Sequence, residues 1–101
     1  MIEQKQFSQS VTDFLKAFGN EKRQEIFLTI FTDGKEHNIT QVSERARIAQ
    51  STASEHLAIL KRAGILTSHK VEKEVFYRIG RRGIVARIDE VKSYLTCCLD
   101  D

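Results

Sequence analysis

The 101-residue sequence predicts a mostly α-helical domain of about five helices that carries one small β-hairpin. Three observations predict it. Apolar residues recur at helical spacing at both ends of the chain and through its centre. Proline is absent, and the five glycines (Gly19, Gly34, Gly64, Gly80 and Gly83) fall at or near the edges of those periodic stretches, where helices must be ended. Finally, Ile65-Leu66-Thr67-Ser68-His69 and Val75-Phe76-Tyr77-Arg78-Ile79 are rich in strand formers, with the polar stretch 70–74 between them as a loop.

Taken in order, Phe7, Val11, Phe14, Leu15 and Phe18 form the apolar stripe of a first helix over 6–18, ended at Gly19. Asn20 is a suitable N-cap for the second helix, with Glu21 favourable in its first turn. Ile26, Phe27, Ile30 and Phe31 give that helix a buried face, and Asp33-Gly34 stops it. Asn38 or Thr40 opens a short third helix through Val42 to about Ala46, and Ala46-Arg47-Ile48-Ala49 is a tight turn. The fourth helix runs from Gln50 or Ser51 to Ala63, with Ala53, Leu57, Ile59 and Leu60 inward and Gly64 as a left-handed cap. After the hairpin, Ile84, Ile88, Val91 and Leu95 draw a narrow, near-heptad seam along a closing helix over 82–96. A narrow seam suits helix-helix pairing.

Short helix, tight turn, amphipathic helix, hairpin: across 39–79 this is the order of a helix-turn-helix followed by a β-wing, which offers one helix to the DNA major groove. Charge agrees. Between positions 45 and 82 lie Arg45, Arg47, Lys61, Arg62, Lys70, Lys73, Arg78, Arg81 and Arg82 against Glu55, Glu72 and Glu74, a balance of +6; the rest of the chain carries −4. The whole-chain charge of +2 conceals that contrast. At this length residues 1–101 form one winged helix-turn-helix domain with a thin core, and a second copy would cover apolar surface the monomer cannot. The expected dimer interface is Phe7, Val11 and Phe14 with Ile84, Ile88, Val91 and Leu95. No segment approaches the roughly 20 apolar residues of a membrane span, and the first residues lack a secretory apolar core. The expected partners are therefore double-stranded DNA and a second copy, with no membrane, in the cytoplasm. Enzyme chemistry has no support: Cys-His and Ser-His-Asp arrangements, a glycine-rich phosphate loop and paired acids in a plausible cleft are all missing.

Three runs resemble the ArsR/SmtB-type repressors. FLKAFGNEKRQEI, starting at Phe14, is similar to that family's opening signature; QSTASEHLAILKRAGIL, starting at Gln50, to its recognition-helix run; and VFYRI, starting at Val75, to the end of its wing. The resemblance covers roughly 10–95 in order and without large gaps. It implies a homodimeric winged helix-turn-helix that blocks transcription from a palindromic operator, with an inducer that lowers DNA affinity. The chain departs from the family at Glu55, where relatives carry Arg, Lys, His or Gln, and at Ala49, where they carry a Ser N-cap. It departs again in sensing. The stretch Ile39-Thr40-Gln41-Val42-Ser43-Glu44-Arg45 has none of the cysteines of the family's metal box, and the last helix has Asp89 and Glu90 but no histidine. Leu28 or a neighbour stands where redox-sensing members carry a cysteine. No metal site and no cofactor are expected, and a small-molecule or metal effector is left unassigned.

Candidate contacts follow from the helix faces. Gln50, Ser51, Thr52, Ser54 and His56 enter or border the major groove, and Glu55 also points outward. Thr40, Gln41, Lys61, Arg62, Lys70 and Lys73 hold the DNA backbone. Phosphate contacts supply affinity, while the small polar residues supply specificity. Blander readings stand beside these: Lys61 and Arg62 balance a helix dipole, and Glu72 and Glu74 dilute Lys70 and Lys73. Cys97 and Cys98 either pack and idle or serve as a thiol or metal sensor. A protein-interaction module that has kept the scaffold without specific DNA binding is the rival from another class.

Overall fold

The computed structural model describes residues 6–96. Five helices and three short strands follow one another as α1 (Gln9–Phe18), α2 (Glu21–Ile30), a 3-10 turn (Phe31–Asp33), β1 (His37–Asn38), α3 (Ile39–Ala46), α4 (Gln50–Arg62), β2 (Leu66–Val71), β3 (Glu74–Ile79) and α5 (Arg81–Thr96). The helical class and the wing are as the sequence predicts.

The boundaries have local causes. Ser8 caps α1 by accepting from the Val11 amide at 3.3 Å, so the helix begins at Gln9 and Phe7 precedes it. Asn20 caps α2, its Oδ1 accepting from the Arg23 amide at 2.9 Å. Gly34 ends the 3-10 turn at φ 77°, in the left-handed region where glycine is at no disadvantage. At the end of α4, the Ile65 amide donates to the Leu60 carbonyl and the Gly64 amide to the Lys61 carbonyl, each at 3.0 Å, with Gly64 at φ 81°. That pairing is a Schellman cap, and the apolar contact it favours joins two fully buried residues, Leu60 and Ile65.

Phe14 and Ala17 of α1, Ile26 and Ile30 of α2, Phe31, Val42 and Ala46 of α3, and Ala53, Leu57 and Leu60 of α4 share one core with Ala63, Ile65 and Leu66. Phe14, Phe18 and Phe27 extend it as successive edge-to-face pairs with ring centroids 5.3 and 5.2 Å apart.

Several expectations are corrected here. Val11 and Phe14 are buried inside the protomer, at 0% and 6% exposure, so they cannot offer a surface to a second copy. Leu15, assigned to the inward stripe, is exposed. Ile84 packs partly against the protomer's own core. The hairpin strands are longer than predicted and the loop shrinks to Glu72 and Lys73, with Glu72 at φ 56°. β1, which the sequence reading lacks, adds to the hairpin in the order β1-β3-β2, with His37 opposite Tyr77 and Asn38 opposite Phe76. Cys97 and Cys98 lie outside the described residues.

Candidate nucleic-acid interface

The turn between α3 and α4 is made by Arg47, at φ 59°, with the Ile48 amide donating to the Ser43 carbonyl at 3.0 Å. α3 opens on a capping box: Asn38 Oδ1 accepts from the Gln41 amide and Gln41 Oε1 accepts from the Asn38 amide, both at 2.8 Å. Gln41 therefore commits its side-chain oxygen to the fold and keeps only its amide nitrogen for a phosphate. α4 starts differently. Ala49 brings no capping oxygen, and no side chain, Ser51 included, caps the helix among the described residues. The first amides of α4 are left to solvent or to an anion.

Gln50 Nε2 donates to Thr40 Oγ1 at 3.2 Å, so the first turns of α3 and α4 meet. The wing tip closes on them. A cleft of about 250 Å³ is lined by Asn38, Ile39, Thr40 and Gln50 on one side and Lys73, Glu74 and Val75 on the other. Asn38 Nδ2 donates to Glu74 Oε2 at 2.8 Å across it. Glu74, read from the sequence as a mere diluent of wing charge, in fact ties the wing to the helix-turn-helix. A second tie joins His69 Nδ1 of β2 to Glu36 Oε2 at 3.2 Å.

On the other edge of α4, Glu55, His56, Ala58, Ile59 and Arg62 line a cleft of about 430 Å³ with Arg23 of α2. Thus Thr40, Gln50 and Lys73 converge on one side of α4, and Glu55, His56 and Arg62 on the other. Ser51, Glu55, Lys61, Arg62, Lys70 and Lys73 are exposed, while Thr52, Ser54 and His56 are half-buried. Neither cleft includes Lys61 or Lys70. Arg23, Asn38 and Glu74 are the residues sequence reasoning missed. Asn38 stood in view as a possible cap, but the partners of Arg23 and Glu74 lie far along the chain.

Among the described residues, Asp33 and His56 are electrostatically perturbed. Burial lowers the His56 pKa from its ordinary 6.5, the charges of Arg23 and Lys22 lower it further, and Glu55 opposes them. Asp33 is held below 3.8, first by the hydrogen bond from the Lys35 amide and then by His37, against partial desolvation. His37, buried beneath Phe31, is 2.9 Å from Asp33 Oδ2 and serves the fold behind β1. Among the described residues no three His, Cys, Asp or Glu side chains are grouped to hold a metal, and no helix is long and apolar enough to cross a membrane.

Residues 20–68, which span the second helix through the start of the wing, match the family model "Bacterial regulatory protein, arsR family". Over 75 residues the chain is 33% identical to the transcriptional activator HlyU of Vibrio cholerae, covering 74% of this chain and 68% of that protein. The chain belongs to the ArsR family. A solved structure of Vibrio cholerae HlyU superposes with a TM-score of 0.63 at 32% identity, over 87% of this chain and 92% of that one. An ArsR-like transcriptional regulator from a Rhodococcus species superposes at 0.74 with 18% identity, over 86% and 80% of the two chains. The homodimeric winged helix-turn-helix DNA-binding domain Mb0332 of Mycobacterium bovis superposes at 0.66 with 21% identity, over 100% and 94%. These last two show the fold alone. As an ArsR-family member with this architecture, the protein is a DNA-binding transcriptional regulator.

Proposed function

We propose that the protein is a cytoplasmic homodimer, one domain per chain over 1–101, that represses transcription by occupying a palindromic operator. The observation that carries the dimer is α5. None of its described residues is fully buried within the protomer, Val85, Ile88 and Leu95 are more than half exposed, and Phe7 lies beside it on Tyr94 with ring centroids 4.9 Å apart. Ile88, Val91 and Leu95 of the expected interface are joined by Val85, while Val11, Phe14 and Ile84 act from within. Two copies paired along α5 would set their α4 helices about one helical turn of DNA apart.

Gln50, Ser51, Thr52, Ser54 and Glu55 then meet base edges, Glu55 as an acceptor for a cytosine amine. Thr40, the Gln41 amide, Lys61, Arg62, Lys70 and Lys73 hold phosphates. Selection from random duplexes should enrich a palindrome with half-sites about 10 base pairs apart, centre to centre. Enrichment of unrelated sequences, with binding abolished by modest salt, would refute it. A reporter under the selected operator decides direction: its output falls when the protein is expressed if the protein represses. The relative's description as an activator favours the opposite sign, and the same reporter would then rise.

A further inference from the structure

We propose that Arg23 is the positioning residue of the reading helix, fixing the roll of α4 by tying His56 to the C-terminal carbonyls of α1. The inference rests on α4 being the helix that reads DNA. One guanidinium serves three helices. From α2, Arg23 Nε donates to the Ala17 carbonyl at 2.8 Å and Nη2 to the Lys16 carbonyl at 3.3 Å, both in the last turn of α1. Its Nη1 lies 3.3 Å from His56 Nδ1 on α4. Arginine has no lone pair to offer, so the Nδ1 lone pair must accept. His56 is thereby held as the neutral tautomer protonated on Nε2, in keeping with the burial and the cations around it.

This edge of α4 is only partly closed by apolar residues, Ile59 among them. Clefts of about 250 and 430 Å³ flank Arg23, and both are lined by Arg23, Ile59 and Arg62. On the inner face Ala53, Leu57 and Leu60 are fully buried and set how far α4 stands from the core. The directional bond to His56 adds a tie of fixed orientation on the outer edge. His56 lies one helical turn beyond Thr52 and beside Glu55 and Leu57, so its position dictates where Ser51, Thr52 and Ser54 point. Side-chain tips stand roughly 5–6 Å from a helix axis, so a roll of about 10° moves them by about 1 Å. A base-edge hydrogen bond does not survive that displacement.

The test compares wild type, Arg23→Gln, Arg23→Lys, His56→Leu and the Arg23→Gln/His56→Leu double variant on the selected operator and on an unrelated duplex, each across a salt series. Arg23→Gln should bind the operator about ten-fold more weakly, a loss equivalent to 1.4 kcal/mol. Its affinity for the unrelated duplex and its salt slope should not change. Arg23→Lys, a donor without the fork, should recover part of the loss. The double variant should be no weaker than the weaker single, because both break one contact. By NMR titration, the His56 pKa should rise in Arg23→Gln as a nearby cation is removed.

Equal loss on both duplexes with a salt slope reduced by about one would make Arg23 a phosphate contact and overturn the proposal. So would additive losses in the double variant. Should Arg23→Gln fail to fold, Arg23→Lys and His56→Leu still decide: full operator affinity in both sinks the idea. If wild type itself prefers no sequence, the assignment of α4 as reading helix has failed, and the proposal fails with it; the His56 titration separates the two, since it reports the contact without DNA.

Discussion

Ala49 is the smallest example of a residue that matters by what it lacks. Because α4 begins without a side-chain cap, Ala49→Ser should add an acceptor for a first-turn amide and raise stability by about 0.5–2 kcal/mol in chemical denaturation. The same oxygen would compete with a phosphate for those amides, so operator affinity should rise less than stability does, or fall. His56 gives a pH dependence with a definite sign. Its folded pKa lies below the ordinary 6.5, so between the two values the unfolded chain holds more protons than the folded one. Its contribution to stability is fully present above 6.5 and is lost as pH falls through 6.5 toward the folded value. The melting temperature should therefore decline between about pH 7.5 and 5.5, and His56→Leu should flatten that part of the curve. Asn20 and Gly64 were legible in the sequence because a cap is a local matter, settled within a few neighbouring residues. Arg23 was not, because its partner His56 lies 33 positions away and no spacing rule connects them.

At the scale of elements, the wing was legible as a hairpin but not as a three-stranded sheet. β1 is two residues long, too short to show the alternation by which a strand is recognised. It exists because His37 and Asn38 pair with Tyr77 and Phe76, a fact of tertiary structure. The strands outran their expected ends because polar residues, unlike proline, do not stop a ladder: Lys70 pairs with Val75 and Val71 with Glu74. The cost appears at Glu72, held left-handed at φ 56°. Glu72→Gly should relieve about 1 kcal/mol of backbone strain and removes a wing acid at the same time. Calorimetry should show a higher melting temperature, and binding to unrelated duplexes should strengthen slightly. A lower melting temperature would mean that the Glu72 side chain does more than turn the chain. The ties Asn38–Glu74 and His69–Glu36 are exposed and individually weak, and they act on where the wing sits rather than on whether it folds.

For the whole molecule, the terminal seam was legible as a pattern but not in its division of labour. Helical periodicity marks a residue as apolar-facing without saying whether the face meets the same chain or another. Val11 and Phe14 went inward, whereas Ile88 and Leu95 stayed out. Ile88→Asp should convert the proposed dimer to monomer in analytical ultracentrifugation while leaving the fold intact, because Ile88 is 51% exposed in the protomer. Operator affinity should drop steeply, as each half-site then binds alone. A variant that stays dimeric would move the interface elsewhere.

The end of α4 and the start of α5 meet at one small joint. α4 is capped at Gly64 and α5 begins beside it: a Cβ at Gly83 would collide with the Gly64 carbonyl oxygen, and the Gly80 amide donates to the Ile65 carbonyl at 2.7 Å. Backbone rests on backbone there, and the Arg87 guanidinium packs against Gly64 and reaches the Gly83 carbonyl. In a dimer built along α5, the protein would behave as a caliper, its jaws the two α4 helices and its rivets the paired glycines. A tool of that kind would measure before it reads, and DNA whose half-sites are set a base pair too far apart would be turned away whatever letters it carries.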